Sequence, residues 1–189
     1  AAISAAAGEE RTASLRFDVR WRPFQLNRGL PNGEGRNKLG YYHERFGVQR
    51  SEAMIVSMKK VGKEVGISFS YGGSIGNSFN SHRLIWKARE DGGSELQGKV
   101  VDELFRAYFE EEKSLGVLSN LAECAERAGI DASELLADPS MGKEAVENEL
   151  EYFTGKWKCR GVPLFIVDGK YPLSGAQPAE AFQQVFEMV

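Results

Sequence analysis

Asp168-Gly169 stands between two short apolar runs, residues 163–167 and 170–173. An Asp-Gly pair so placed is the strongest local signal for a tight hairpin, because a type I′ turn needs positive φ at both central residues. The pair predicts two antiparallel strands near the end of the chain. Two strands alone are marginal in water, so another must join them. Residues 37–157 offer little for this, since their apolar positions recur at helical steps. The other segment with period two is 15–22, where Leu15, Phe17, Val19 and Trp21 alternate with Arg16, Asp18, Arg20 and Arg22. It predicts a strand with one apolar face, ended by Pro23, that joins the hairpin. The two ends of the chain then form one α/β domain, 1–35 with 158–189, and residues 36–157 form a helical insertion.

The insertion reads as a series of helices. Residues 27–40 are a loop with four glycines and a proline. Met54, Ile55, Met58, Val61 and Val65 then recur at three- and four-residue steps, and Gly66 ends that helix. A short extended piece, 67–71, leads to a helix over 78–89. Next comes the clearest helix, 96–112, whose stripe is Val100, Val101, Leu104, Phe105, Tyr108 and Phe109. Gly129 closes a helix over 117–128, and Asp131 with Glu134 has capping-box spacing. A longer helix follows Pro139. At the two ends of the chain, Ala1 to Ala7 reads as a helix tail stopped by Gly8, and Pro178 opens a last helix with Ala181, Phe182, Val185 and Phe186 on its apolar face.

Composition narrows the function classes. The 189 residues carry 24 Lys plus Arg against 27 Asp plus Glu, with 42% hydrophobic and 27% charged residues. That is enough apolar material for a core. The basic residues are scattered among acids, so no nucleic-acid partner is expected. No apolar run approaches the length of a membrane span, so no membrane partner is expected. Cys124 and Cys159 are not part of a Cys-x-x-Cys, and His43 and His82 lack neighbours at metal-ligand spacing. Residues 72–76 are glycine-dense but lack the Lys-Ser/Thr end of a phosphate loop.

Several segments, taken in order, carry a family resemblance. They are Trp21-Arg22-Pro23-Phe24 with Leu26, then Gly76-Asn77-Ser78 with Ser81-His82-Arg83-Leu84, then residues 103–109. Gly161-Val162-Pro163, the Asp-Gly hairpin and Ser174-Gly175-Ala176-Gln177-Pro178 complete the set. Together they span most of the chain from Leu15 onward. The chain resembles the DsbA-like thioredoxin family, and within it the FrnE-type branch, related to 2-hydroxychromene-2-carboxylate isomerases and kappa-class glutathione transferases.

The resemblance implies a thioredoxin-like fold with an α-helical insertion and a thiol–disulfide oxidoreductase function. The family's redox Cys-x-x-Cys follows its first strand, and neither is found here, so the chain is expected to be N-terminally truncated and inactive alone. No catalytic residue is assigned within it. The matching proline of the family is cis, so Pro163 is expected to be cis and Val162 to offer its main chain to a peptide or to glutathione. The residues alone read as a trans proline opening an edge strand. Gly175, Ala176 and Gln177 lead into a helix N-terminus that in glutathione-using relatives holds a carboxylate, although every helix has such an end. Asn77 and His82 open a helix that faces the thiol in related enzymes; as bare residues they read equally as a cap and a bridging side chain. Cys159 is a possible resolving thiol or a small apolar filler. No cofactor is required, and glutathione is the possible ligand. The expected partner is a protein thiol or disulfide, and the expected compartment cytoplasmic or organellar. The alternatives are a glutathione-dependent isomerase or transferase, and a non-catalytic module binding peptide or glutathione.

Overall fold

The computed structural model describes residues 15–189. The Ala-rich start, with Gly8, lies outside the described residues. The chain falls into two compact units: the described residues up to Val19 join Leu150–Val189, and Arg20–Glu149 form the other.

The larger unit is helical. A two-residue strand β1 (Arg36–Asn37) pairs antiparallel with β2 (Ser74–Ile75), and between them run α1 (Lys38–Phe46) and α2 (Val48–Glu64). Asn37 starts α1 by accepting a hydrogen bond from the Gly40 N–H at 2.8 Å, the usual way a short polar side chain satisfies a free helix amide. Then come α3 (Phe79–Phe109), α4 (Leu118–Ala128) and α5 (Ser133–Ala137), followed by α6 (Lys143–Gly155), which runs past the boundary between the units.

The core of this unit lies between α3 and α4. Leu84, Ala88, Val100, Leu104 and Ala107 of α3 meet Leu121, Cys124 and Ala125 of α4, with Ile130 and Leu135 closing one end. Each fully buried leucine here contributes roughly 1.5–3 kcal/mol. Gly129 ends α4 in the left-handed region (φ 81, ψ 32), and the Ile130 N–H reaches back to the Ala125 carbonyl at 3.0 Å.

Three sequence expectations change in this unit. The helices expected over 78–89 and 96–112 are one element, α3, kinked where Gly92 (φ −146, ψ 20) and Gly93 (φ 65, ψ −155) leave helical geometry. The apolar positions of α2 remain largely outside the core: Val61 is 49% exposed and Val65 68%. This helix instead packs by its small residues Ser51 and Gly62, and a Cβ on Gly62 would lie 2.4 Å from the Phe69 ring. At α5, Asp131 accepts from the Ser133 N–H at 2.8 Å and no side chain caps the helix, so the capping box does not form.

The smaller unit holds β3 (Leu164–Val167) and β4 (Tyr171–Ser174), paired antiparallel, and α7 (Ala179–Phe186). Asp168 (φ 50) and Gly169 (φ 65) are both left-handed at the turn, and the Lys170 N–H closes it on the Val167 carbonyl at 3.0 Å. Phe182 and Phe186 of α7 pack on Phe165 and Phe17, with ring centroids 4.8 and 5.0 Å apart respectively.

The strand expected over 15–22 does not form: among the described residues it joins no ladder, and the hairpin stays two-stranded. Alternation marks which side of a segment is apolar. It does not supply the neighbouring backbone that a ladder needs. Phe17 uses the apolar side against Phe186. At Trp21, both main-chain groups go instead to the side chain of Gln97. No helix among the described residues is long and apolar enough to cross a membrane.

Candidate functional site

In the smaller unit the Val162–Pro163 peptide bond is cis. The Pro163 carbonyl accepts from the Gly175 N–H at 2.9 Å, which ties the loop to the end of β4. Val162 is 51% exposed, and its main chain makes no hydrogen bond among the described residues. Beyond β4, the Gln177 amide donates to the Ser174 carbonyl at 2.7 Å and braces the turn through Gly175 and Ala176. Pro178 is the cap of α7, one residue before the first helical position, and no side chain caps that helix.

Both cysteines are free thiols. Cys159 belongs to the smaller unit and is 7% exposed; its N–H donates to the Phe153 carbonyl at 3.1 Å and its S–H to the Gly161 carbonyl at 3.4 Å. Cys124 is fully buried in the α3–α4 core of the larger unit, and burial pushes its thiol up to about 11.

Asn77 and His82 sit in the larger unit, before and within the first turn of α3. Asn77 is a clamp. Its carbonyl oxygen accepts from Gln25 Nε2 and from the Phe79 N–H, both at 2.9 Å. Its amide donates to the carbonyls of Arg28 and Leu30, both at 3.1 Å, so the 25–30 loop is held to the start of α3. The His82 Nε2 lies 3.0 Å from the Phe24 carbonyl. A carbonyl only accepts, so Nε2 carries the proton. Burial lowers the His82 pKa to about 4, against the opposing pull of that hydrogen bond, so the ring is neutral at pH 7. Its Nδ1 is buried with no partner. The ring lines a cavity of about 80 Å³ together with Trp21, Trp86 and the Arg22–Glu149 ion pair.

Three buried polar side chains shape the larger unit: Arg83, from the motif around His82, and Gln97 and Lys38, which sequence reasoning left aside. Arg83 is 2% exposed and donates to the carbonyls of Leu135 and Met141 at 2.7 Å each, to the Asp138 carbonyl, and to Asn80 at 3.0 Å. Gln97, 3% exposed, accepts from the Trp21 N–H at 3.0 Å and donates to the Trp21 carbonyl at 3.1 Å. Lys38, 1% exposed, donates to the Tyr108 carbonyl at 2.7 Å and lies 4.1 Å from the Tyr108 ring centre; burial lowers its pKa. Apart from Asn80, the partners named here are main-chain groups and a ring far along the chain, so no local spacing announces them.

The structure is similar to the crystal structure of a probable DsbA oxidoreductase from Streptomyces coelicolor, with a TM-score of 0.85 and 27% sequence identity, over 99% of this chain and 80% of that one. No curated protein matches the chain. The DSBA-like thioredoxin domain family matches residues 5–187, nearly the whole length. The chain belongs to the DSBA-like thioredoxin domain family.

Proposed function

We propose that the chain provides the substrate-holding part of a DsbA-type thiol–disulfide oxidoreductase, with the exchanging dithiol not among its 189 residues. Val162 carries this reading. It is half exposed, its main chain is unbonded among the described residues, and it directly precedes a proline whose carbonyl is fixed to Gly175. A chain segment held on one side and open on the other suits the backbone of an extended, cysteine-bearing peptide.

The chain's own thiols do not suit the exchange. That reaction needs an accessible thiolate to attack one disulfide sulfur and expel the other as a thiolate. Cys124 is buried with its thiol held protonated, and Cys159 is buried with its S–H turned to Gly161. Glutathione is the small thiol ligand proposed for the same place. Its carboxylate would meet the amides following Gly175, at Ala176 and Gln177, beside the uncapped start of α7. Asn77 takes a structural part in this reading, because its side chain is engaged by the 25–30 loop. His82 holds Phe24.

The test is an amide-resonance titration of the labelled chain with oxidised glutathione and with a short peptide carrying a central S-methylcysteine. The Val162 amide is expected to shift with both, and the Ala176 and Gln177 amides with glutathione. A Val162 resonance unmoved by both ligands at millimolar concentration contradicts the reading.

A further inference from the structure

Met54, Met58 and Val61 recur along α2, and Val65 just past its end, at steps of four, three and four residues, the spacing of one continuous helical stripe. Ser51 and Gly62, on one side of the stripe, are buried in the helix's own unit. The stripe itself is open: Met58 is 37% exposed, Val61 49% and Val65 68%. Along its other side run Arg50, Ser57 and Glu64, which follow one another at seven-residue steps and are all exposed.

The charges of α2 are the second observation. Arg50, Glu52, Lys59, Lys60, Lys63 and Glu64 make no ion pair and no side-chain hydrogen bond among the described residues. Elsewhere in this unit such pairs form, as between Arg36 and Glu44 at 2.6 Å, Lys87 and Asp91 at 2.8 Å, and Arg127 and Glu111 at 2.7 Å. Two of the unpaired charges also oppose the helix dipole. Arg50 lies in the first turn, which holds no acid, and Glu64 is the last helical residue. Each placement is unfavourable in a helix alone. Against a helix running the other way, each charge meets its opposite.

We infer that α2 is the interface of a homodimer, in which the stripes of two copies pack antiparallel about a twofold axis near Ser57. The pairing brings Arg50 to Glu64 of the partner subunit at both ends and sets Met54 beside Val61 of the partner subunit. Positions 50 and 64 lie seven residues on either side of 57, so one register satisfies both ends. A parallel pair would instead bring like charges together at each end. A second copy is the occupant because the flank of base, hydroxyl and acid is complementary to its own reverse. The 17 residues of α2 rise roughly 25 Å, so the pair buries on the order of 1,000 Å², the low end for a specific interface. The dimer is accordingly weak, with a dissociation constant on the order of 10–100 μM. This face belongs to the larger unit, and the inference stands without the redox reading.

The test is sedimentation equilibrium of the full chain from about 1 μM to about 1 mM. The apparent mass should rise from 20.9 kDa toward twice that value. Val61→Glu, at an exposed position, should hold the chain monomeric. Arg50→Glu and Glu64→Arg should each weaken association about tenfold, because each turns two attractions per dimer into two repulsions. Both swaps favour the isolated helix, so the weakening does not come from its unfolding. The double swap should restore association, which a general change in charge would not do. Should Val61→Glu fail to fold, the charge swaps decide. A chain that stays monomeric to the top of the range overturns the inference, as does a dimer that Val61→Glu leaves intact. A double swap that associates no better than either single swap also overturns it.

Discussion

The side chain of Gln97 does for Trp21 what a neighbouring strand would do. Its carbonyl oxygen accepts from the Trp21 N–H at 3.0 Å and its amide donates to the Trp21 carbonyl at 3.1 Å, so one residue of α3 satisfies both main-chain groups of a residue 76 positions away. Trp21 in turn sets its ring edge-on to Phe105, 5.7 Å between centroids.

Gln97→Leu keeps the bulk and removes both bonds, leaving Trp21 unpaired beside the core. The expected loss is about 2 kcal/mol of unfolding free energy, about 1 kcal/mol for each of the two hydrogen bonds, read as a lower urea midpoint at unchanged slope. A midpoint equal to that of the parent chain would show that water replaces the pair at no cost.

His82 gives the fold a pH dependence of defined sign. Its pKa is about 4 in the folded chain against an ordinary 6.5, so the fold favours the neutral ring. The unfolded chain then binds more protons between those values. Stability from this residue is complete above pH 6.5 and is lost as pH falls toward 4, by at most about 3 kcal/mol. Glu111, which Arg127 and Lys113 hold down to about 2, acts in a lower window, below its ordinary 4.5. His82→Gln can still donate to the Phe24 carbonyl and should flatten the stability curve between pH 4 and 6.5. An unchanged slope would assign the acid sensitivity elsewhere.

Arg83 is buried with carbonyls and one amide oxygen, Asn80 Oδ1, as its hydrogen-bond acceptors. Arg83→Met keeps the stem and strands the carbonyls of Leu135 and Met141. A loss of about 3 kcal/mol is expected in chemical denaturation. Arg83→Lys should recover only part of it, because an ammonium cannot span acceptors arranged for a planar fork. Full recovery by lysine would mean that charge alone suffices.

What could be read in the sequence, and what could not, divides by range. The Asp168-Gly169 turn, the Gly129 helix stop and the stripe of Val100, Val101 and Leu104 are local matters, settled by residues within a few positions, and the structure has them. The family was legible because its motifs keep their order along the chain. The strand over 15–22 was not, because a strand depends on a distant backbone and here Gln97 takes the Trp21 groups. The kink at Gly92 and Gly93 falls between the helices expected over 78–89 and 96–112, and local periodicity does not say whether one helix resumes across such a gap. At the candidate site, the exposure of Val162 depends on packing that no spacing reveals, whereas the burial of Cys159 agrees with its reading as a small apolar filler.

The cysteines should be slow to react in the native state. With its thiol raised to about 11, Cys124 holds on the order of a thousandth of its sulfur as thiolate at pH 8. Labelling with an aromatic disulfide reagent should therefore be slow at both sites in buffer and fast in denaturant. Fast native labelling that Cys159→Ser removes would show the loop at Cys159 opening to solvent.

The most direct measurement is insulin reduction by the purified chain with dithiothreitol as electron donor. The rate should equal that of dithiothreitol alone, and Cys124→Ser with Cys159→Ser should leave it unchanged. Catalysed turnover that survives removal of both sulfurs would contradict the account, because it would place disulfide exchange in a chain that has no other thiol to perform it.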